Sequence, residues 1–576
     1  MIEPTYKTLQ TLFADRVFRI PHYQRFYSWQ KKQRDDLFND LRKLAERTDD
    51  NHHFMATIVC HKTNEVTPVG SKEYRLYDVV DGQQRLTSLI MILKCIELSL
   101  DDPDEQADLA KTIVKKDGNL ILLQTNNANE HIFNAFLRDG TKPGKEQVKT
   151  RADKAIRDGI NQCESFVKKW KQDNDCAMSL LRLVVNKLGF VIFDIEDAHS
   201  VYSIFEVLNS RGLAVDYLDK CKSMMMERAF KLSGSDDAKK SAIGTLQNIW
   251  AEIYREIADI TVSGEQILRV AGTLYFGQNR GKPRPADISL ESFRDACDEA
   301  DKPRVLAGNI LDVAKKLVAL QKNVFLGPVT EVLHARILAI AILSTDVLSE
   351  SERAKAMEQW ERVTFRIFQM FGKDAREMVG KYVRLAAAIT NKEKGGTRYS
   401  EIMDSLRKLG SKYPIEEAVE EGLVDVSVYE WPHFVRFVLW KYEEHLAAEA
   451  GQGSTVDDNV RAEIWASGAD DSIEHIFPQT PERNGPWKGK MTDAEGKKYD
   501  VEEEVGRIGN LILLPIKLNI EAKRDGFDKK KEVYEKHNLR MVREVLEEDD
   551  WTFDHIVERE HKIVEWAKKE WADLPD

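Results

Sequence analysis

No apolar run in this chain approaches the ~20 residues that a membrane-spanning helix requires, so no membrane partner is expected. Cysteine is scarce: Cys60, Cys95, Cys163, Cys176, Cys221 and Cys297 are scattered through 576 residues without a Cys-x-x-Cys pair. That spacing excludes a disulfide frame and a cysteine zinc site, and it suits reduced thiols in a cytoplasm. Met1 to Tyr6 lack a charged-then-apolar signal pattern, which also points to the cytoplasm. A Walker A loop is missing. Gly277-Gln278-Asn279-Arg280-Gly281-Lys282 comes near, but its spacing is short and Pro283 stands where Ser or Thr is needed. Positive charge is in deficit, with 85 Lys and Arg against 97 Asp and Glu and a net charge of −12. Such a chain does not coat DNA through bulk electrostatics. Local basic patches remain available at Lys517, Lys523, Arg524 and Lys529 to Lys531. There is no internal repeat.

What the chain has is the make-up of a soluble globular protein, 42% hydrophobic and 32% charged. Its length allows two to four domains, each with a proper core. Phe54 to Val59, Leu76 to Val80 and Phe190 to Ile195 read as β-rich runs. After Asp81-Gly82 the apolar period changes. Leu86, Leu89, Ile90, Leu93 and Ile96 fall at helical spacing, so a strand turns tightly into a helix. A helix from about Val201 to Leu208, a turn at Asn209-Ser210-Arg211-Gly212 and a helix from about Val215 follow the last strand. From about 225 to 445 the pattern is almost wholly helical, with stripes around Ile310 to Leu320, Val332 to Leu343 and Met357 to Phe371 that suit a packed bundle. Small residues from Ala448 to Thr455 mark a linker. Helical stretches around Lys529 to Glu547 and Phe553 to Ala572 close the chain. His52-His53 and His61 lack a matching carboxylate pattern and read as ordinary strand-edge histidines. Met224-Met225-Met226 reads as helix core.

Two constellations carry chemistry. The first runs from Ser472-Ile473-Glu474-His475-Ile476-Phe477-Pro478-Gln479 through Ile508-Gly509-Asn510-Leu511-Ile512-Leu513-Leu514 to Asn519. Glu474 can hold a hard divalent cation through oxygen. A neutral His475 can take a proton from water. Of the two Asn, one can complete a metal shell through its amide oxygen and the other can orient the His ring. These are the parts of a one-metal nuclease site. The second is Asp78-Val79-Val80-Asp81-Gly82-Gln83-Gln84-Arg85-Leu86-Thr87. Gly82 permits close backbone approach, free N–H groups at a helix start can hold an anion, and Arg85 is a planar cation for phosphate. Asp81 can contact a metal or a ribose hydroxyl. Upstream, Ile20-Pro21-His22-Tyr23-Gln24-Arg25-Phe26-Tyr27-Ser28-Trp29 mixes Arg, Gln and aromatics, and downstream lies Phe205-Glu206-Val207-Leu208-Asn209-Ser210-Arg211-Gly212.

The first constellation resembles the ββα-metal, or HNH, nuclease motif. That resemblance implies His475 as general base, Glu474 and Asn519 as metal ligands, and Asn510 as the His-orienting Asn that opens the helix. The amino-terminal motifs, taken with it in this order, resemble the GmrSD-type restriction endonucleases. The family implies an α+β, predominantly helical protein. Residues 1–225 would form a ParB/sulfiredoxin-like domain for nucleotide binding and DNA sensing, 226–450 a helical coupling region, and 451–576 an HNH nuclease domain. Asp81, Gly82, Gln83, Gln84 and Arg85 would bind a nucleoside triphosphate. Tyr23, Gln24, Arg25, Asn209 and Arg211 would line that pocket or sense DNA. Mg²⁺ or Mn²⁺ is the expected metal, modified phage DNA the expected substrate, and a homodimer is plausible because one HNH site cuts one strand. Two other readings stay open: a nucleotide-dependent sensor with a degenerate nuclease domain, and a non-enzymatic scaffold of a defence complex.

Overall fold

The computed structural model describes residues 4–575 except 15, 48–52, 70–71, 116–120, 125–129, 175, 197–200, 202–215, 259–261, 324–325, 327–328, 330, 391–396, 425–427, 452–457 and 467. The chain forms two compact units. One is Met1–Phe276 with Arg284–Val318, and the other is Gly277–Pro283 with Ala319–Asp576. The architecture is α+β and predominantly helical, as the sequence implies.

In the amino-terminal unit, strands β1 (Thr5–Thr8), β2 (Arg16–Ile20), β3 (His53–Val69), β4 (Lys72–Asp81), β5 (Leu122–Gln124) and β6 (Leu188–Ile195) make one mixed sheet. Their order is β1-β6-β3-β4-β2-β5. β3 pairs antiparallel with β4 and parallel with β6, while β2 runs parallel to both β4 and β5. His53 and His61 therefore sit on an interior strand and not at an edge, because β3 is far longer than its apolar run suggests. His52 lies outside the described residues, as does the expected Val201–Leu208 helix beyond Val201.

The helix Gln83–Glu97 fixes this unit. Every residue in it except Arg85 is buried, so it is a core helix and not an amphipathic one. Its two buried charges pair with each other, Lys94 Nζ lying 2.8 Å from both Glu97 oxygens. Around it pack Phe18, Phe38, Phe133, Ile160 and Phe166, the Phe38 and Phe166 rings stacked 4.4 Å apart. Met224 to Met226 are buried in the helix Tyr217–Leu232, in keeping with their reading as core.

Among its described residues, the other unit is helical apart from a two-stranded antiparallel ribbon, β7 (Ile473–His475) with β8 (Leu511–Leu513). The stripes read from sequence appear as Leu333–Ser344 and as Glu350–Phe365 continuing into a π-helical turn at Arg366–Met370. The expected 529–547 helix is two helices, Phe527–Tyr534 and Arg540–Leu546, because Glu443 caps the second by accepting from the N–H groups of Arg540 and Met541. Helix Phe553–Glu570 lies directly on the turn before β8. A Cβ on Gly509 would sit 2.0 Å from the Ile556 carbonyl oxygen, so only glycine permits this approach.

Candidate functional site

Strand alternation decides the geometry around β7. Ile473 faces Leu513, Glu474 faces Ile512 and His475 faces Leu511 across the ribbon, so Glu474 projects opposite to His475. The Glu474 carboxylate meets helix Phe527–Tyr534. Its Oε1 accepts from Lys530 Nζ at 2.7 Å and from the Tyr534 hydroxyl at 2.9 Å. Lys530 is fully buried and also donates to the His475 carbonyl at 2.6 Å. Burial pushes the carboxyl up and the ammonium down, each opposed by its partner. Lys530 is thus no part of a basic patch, which corrects the reading of Lys529 to Lys531. Lys531 is likewise engaged, donating to the Glu548 carbonyl at 2.7 Å.

His475 is 7% exposed, and its Nε2 is buried without a hydrogen-bond partner. The Tyr429 ring covers it edge-on, with centroids 4.4 Å apart. Burial, and then the Lys530 charge, holds the imidazole down to about 3, so it is neutral throughout the physiological range.

Asn510 is fully buried and does not touch the His475 ring. Its Oδ1 accepts from the Phe477 N–H at 2.8 Å and from Trp551 Nε1 at 3.2 Å, and its Nδ2 donates to the carbonyls of Phe477 and Val505, both at 2.9 Å. It fixes the turn two residues beyond His475. Nor does it open a helix: it ends the 3-10 turn Ile508–Asn510, and the helix that follows β8 is Ile516–Ala522. That helix carries Asn519, whose Nδ2 donates to the Asp471 and Ile473 carbonyls at 2.9 and 3.0 Å. Glu474 and His475 thus lie on β7 and project oppositely, Asn510 ends the turn before β8, and Asn519 sits on the helix after it.

A dication does not fit Glu474 in this arrangement. The charge it would need is neutralised by an ammonium sealed in the interior. Among the described residues no cluster of three His, Cys, Asp or Glu could hold a metal ion.

At the amino-terminal turn, Gly82 has φ +89° and caps the helix. A Cβ there would meet Ile58 Cγ1 at 3.1 Å and the Thr57 carbonyl at 3.2 Å. Gln83 and Gln84 are buried. Gln84 staples the upstream motif, donating to the Phe26 carbonyl and accepting from the Ser28 N–H, both at 2.8 Å. Arg85 lies over the Trp29 ring at 5.9 Å, and Gln24 donates to the Val80 carbonyl at 3.2 Å. The two motifs read from sequence are thus neighbours in space. Asn209 and Arg211 lie outside the described residues.

Sequence reading missed a third contributor, the buried face of helix Tyr217–Leu232. Lys222 donates to Gln24 Oε1 at 2.8 Å, and Arg25 Nε is 3.3 Å from Asp219 Oδ2. Tyr254 donates to Asp219 from the next helix. Burial drives Lys222 down to about 8 against the pull of Asp219, and burial raises Asp81. The available signal was Asp219 and Lys222 three apart inside an otherwise apolar stripe.

Comparison with known families places both halves. Residues 9–226 match the model for the GmrSD restriction endonuclease N-terminal domain, and residues 413–566 that for the GmrSD restriction endonucleases, C-terminal domain. No curated protein matches the chain.

Proposed function

The chain belongs to the GmrSD restriction endonuclease family, and from that premise we propose a modification-dependent DNA endonuclease of antiphage defence whose cutting residue is His475. The observation that carries this reading is the place of His475 at the end of a strand paired antiparallel with Leu511–Leu513 and followed by the helix Ile516–Ala522, the strand–strand–helix order expected of an HNH site. His475 is the general base that takes a proton from the attacking water. Asn510 holds the turn after it. Exposing the ring returns its pKa toward the ordinary value near 6.5, where an imidazole is an effective base at neutral pH.

The family implies Mg²⁺ or Mn²⁺, and Glu474, paired with the buried Lys530, is not free to hold it. The ParB/sulfiredoxin-like amino-terminal domain, residues 1–225, binds and hydrolyses a nucleoside triphosphate. The motif from Tyr23 to Arg25 and the turn from Asp81 to Arg85 organise that site. Residues 226–450 couple it to the nuclease domain, residues 451–576.

A cleavage assay tests the proposal, using matched unmodified, cytosine-modified and phosphorothioate DNA with Mg²⁺ or Mn²⁺ and added nucleotide. Wild type cuts one modified substrate, and His475→Ala abolishes cutting while nucleotide hydrolysis persists. Equal loss of both activities refutes the two-site scheme. The Lys530–Glu474 pair favours one second reading, a nucleotide-dependent sensor whose nuclease site is degenerate. In that case the wild type neither binds Mn²⁺ nor nicks DNA under any of these conditions.

A further inference from the structure

A cavity of about 650 Å³ lies within the carboxy-terminal unit. Part of its lining comes from two π-helical turns, Arg366–Met370 and Glu420–Val424, a local geometry frequent at ligand sites. The second turn lies on the backbone of the first, and a Cβ on Gly422 would stand 3.0 Å from Met370 Cα. The rest of the lining runs from Glu430 to Phe434, where the 3-10 turn Val428–Glu430 leads into helix Pro432–Glu449. Tyr429, whose ring covers the His475 imidazole, belongs to that 3-10 turn. The cavity wall and the cover of the cutting residue therefore share one short segment.

The lining selects the chemistry of the occupant. Among the described residues no lysine or arginine lines the cavity, whereas Glu421 and Glu430 do. Two carboxylates disfavour a phosphate and suit an uncharged group that donates N–H. Three of the aromatic rings are already packed. Phe368 lies 6.0 Å from Tyr382 and Phe434 lies 5.6 Å from Phe365, between centroids. Phe371 meets the Tyr413 ring at 5.1 Å and carries the Lys373 ammonium at 5.4 Å. Trp431 is different: it is 51% exposed, and among the described residues no ring packs on it. An open indole face is a stacking surface for a nucleobase. A carboxylate beside it can accept from an exocyclic amino group, as acidic side chains do from cytosine N4. The volume lies within the roughly 300–1,000 Å³ of small-molecule sites, with room for a substituent on the base.

We propose that this cavity receives a single cytosine-type base drawn out of the DNA, stacked on Trp431 with its amino group toward Glu430 or Glu421. The modified base is thus read next to the residue that cuts. The proposal rests on the endonuclease reading above and adds the place of recognition. Extrusion costs unpairing and unstacking energy, so a base without a partner enters more readily than a paired one. Trp431 is exposed enough for its replacement to be compatible with folding.

The test is a titration of the full chain, in Ca²⁺, with duplexes carrying one methylcytosine, hydroxymethylcytosine or thymine. Each base is placed either in its normal pair or opposite an abasic site. Wild type binds at least one modified cytosine roughly tenfold more tightly when it is unopposed, and thymine shows no such gain. Trp431→Ala removes the gain while unfolding at the wild-type temperature, and Trp431→Phe keeps most of it. A gain for thymine equal to that for the cytosines overturns the reading of the amino group. Wild-type binding of paired and unopposed bases within about threefold overturns the cavity's role, as does a gain that survives Trp431→Ala. If such a wild type still cuts modified DNA, the endonuclease reading stands. Neither binding nor cutting of any duplex, with Mg²⁺ or Mn²⁺ supplied for cutting, overturns both.

Discussion

Removing the ammonium of Lys530 isolates a carboxylate inside the carboxy-terminal unit. In Lys530→Met, Glu474 keeps the Tyr534 hydrogen bond but loses its only ion-pair partner among the described residues. Breaking one side of a buried pair costs about 3–5 kcal/mol, because the remaining charge stays desolvated. The surviving hydrogen bond places this case near the lower figure, a fall in Tm on the order of 10 °C. The loss depends on pH. Burial already raises the Glu474 carboxyl with Lys530 present, and without it the folded-state pKa climbs further. The folded protein then binds a proton that the unfolded chain has released, so stability falls as pH rises from the unfolded value near 4.3 through the raised one. Urea unfolding at pH 5 and pH 8 therefore gives the larger deficit at pH 8. Glu474→Gln/Lys530→Met removes the stranded charge and recovers most of the loss. A single variant within about 1 kcal/mol of wild type at pH 8, with no pH slope, would refute the picture of a sealed ion pair.

Three further outcomes follow from the same packing logic. Asn510→Ala removes two accepted and two donated hydrogen bonds and costs about 3 kcal/mol by urea unfolding; wild-type stability would show the turn is held by other means. Glu443, pushed up to about 7 by burial against two N–H donors, makes its unit less stable as pH rises from about 4.5 to 7, by roughly 3 kcal/mol. Glu443→Gln flattens that slope, and an unchanged slope assigns it elsewhere. Gly82→Ala, at φ +89° with two close neighbours, lowers the stability of the amino-terminal unit by about 1–2 kcal/mol or more. Calorimetry decides it, and an unshifted transition would mean the turn relaxes freely.

Much of this was legible in the chain. β-rich runs marked β3, β4 and β6, and the change of period after Gly82 marked the strand-to-helix turn, because both signals are local. Residue order was enough to place His475 on a strand, Asn510 just before the strand it pairs with, and Asn519 on the helix that follows. What stayed hidden depended on direction and distance. Lys530 sits between two other lysines, so charge alone read it as surface, yet only its helical phase turns it toward a carboxylate 56 residues away. Asn510 was read as acting on an imidazole and acts on the backbone beyond it, a difference of one turn that sequence spacing does not encode. Asp219 and Lys222 escaped notice because ordinary i, i+3 charge pairs lie on solvated helix faces, and here the pair faces inward.

The ring of Tyr429 over His475 has a kinetic meaning. If His475 is the base, no phosphodiester reaches it until that ring moves, and the cutting rate is the intrinsic rate multiplied by the fraction of molecules uncovered. An opening that costs about 3 kcal/mol leaves less than about 1% of them ready at any instant. For a restriction enzyme, which lives beside its host's genome continuously and meets foreign DNA rarely, that fraction sets the background rate of self-inflicted breaks. A single aromatic contact would then be tuned as much by what the enzyme must leave intact as by what it destroys.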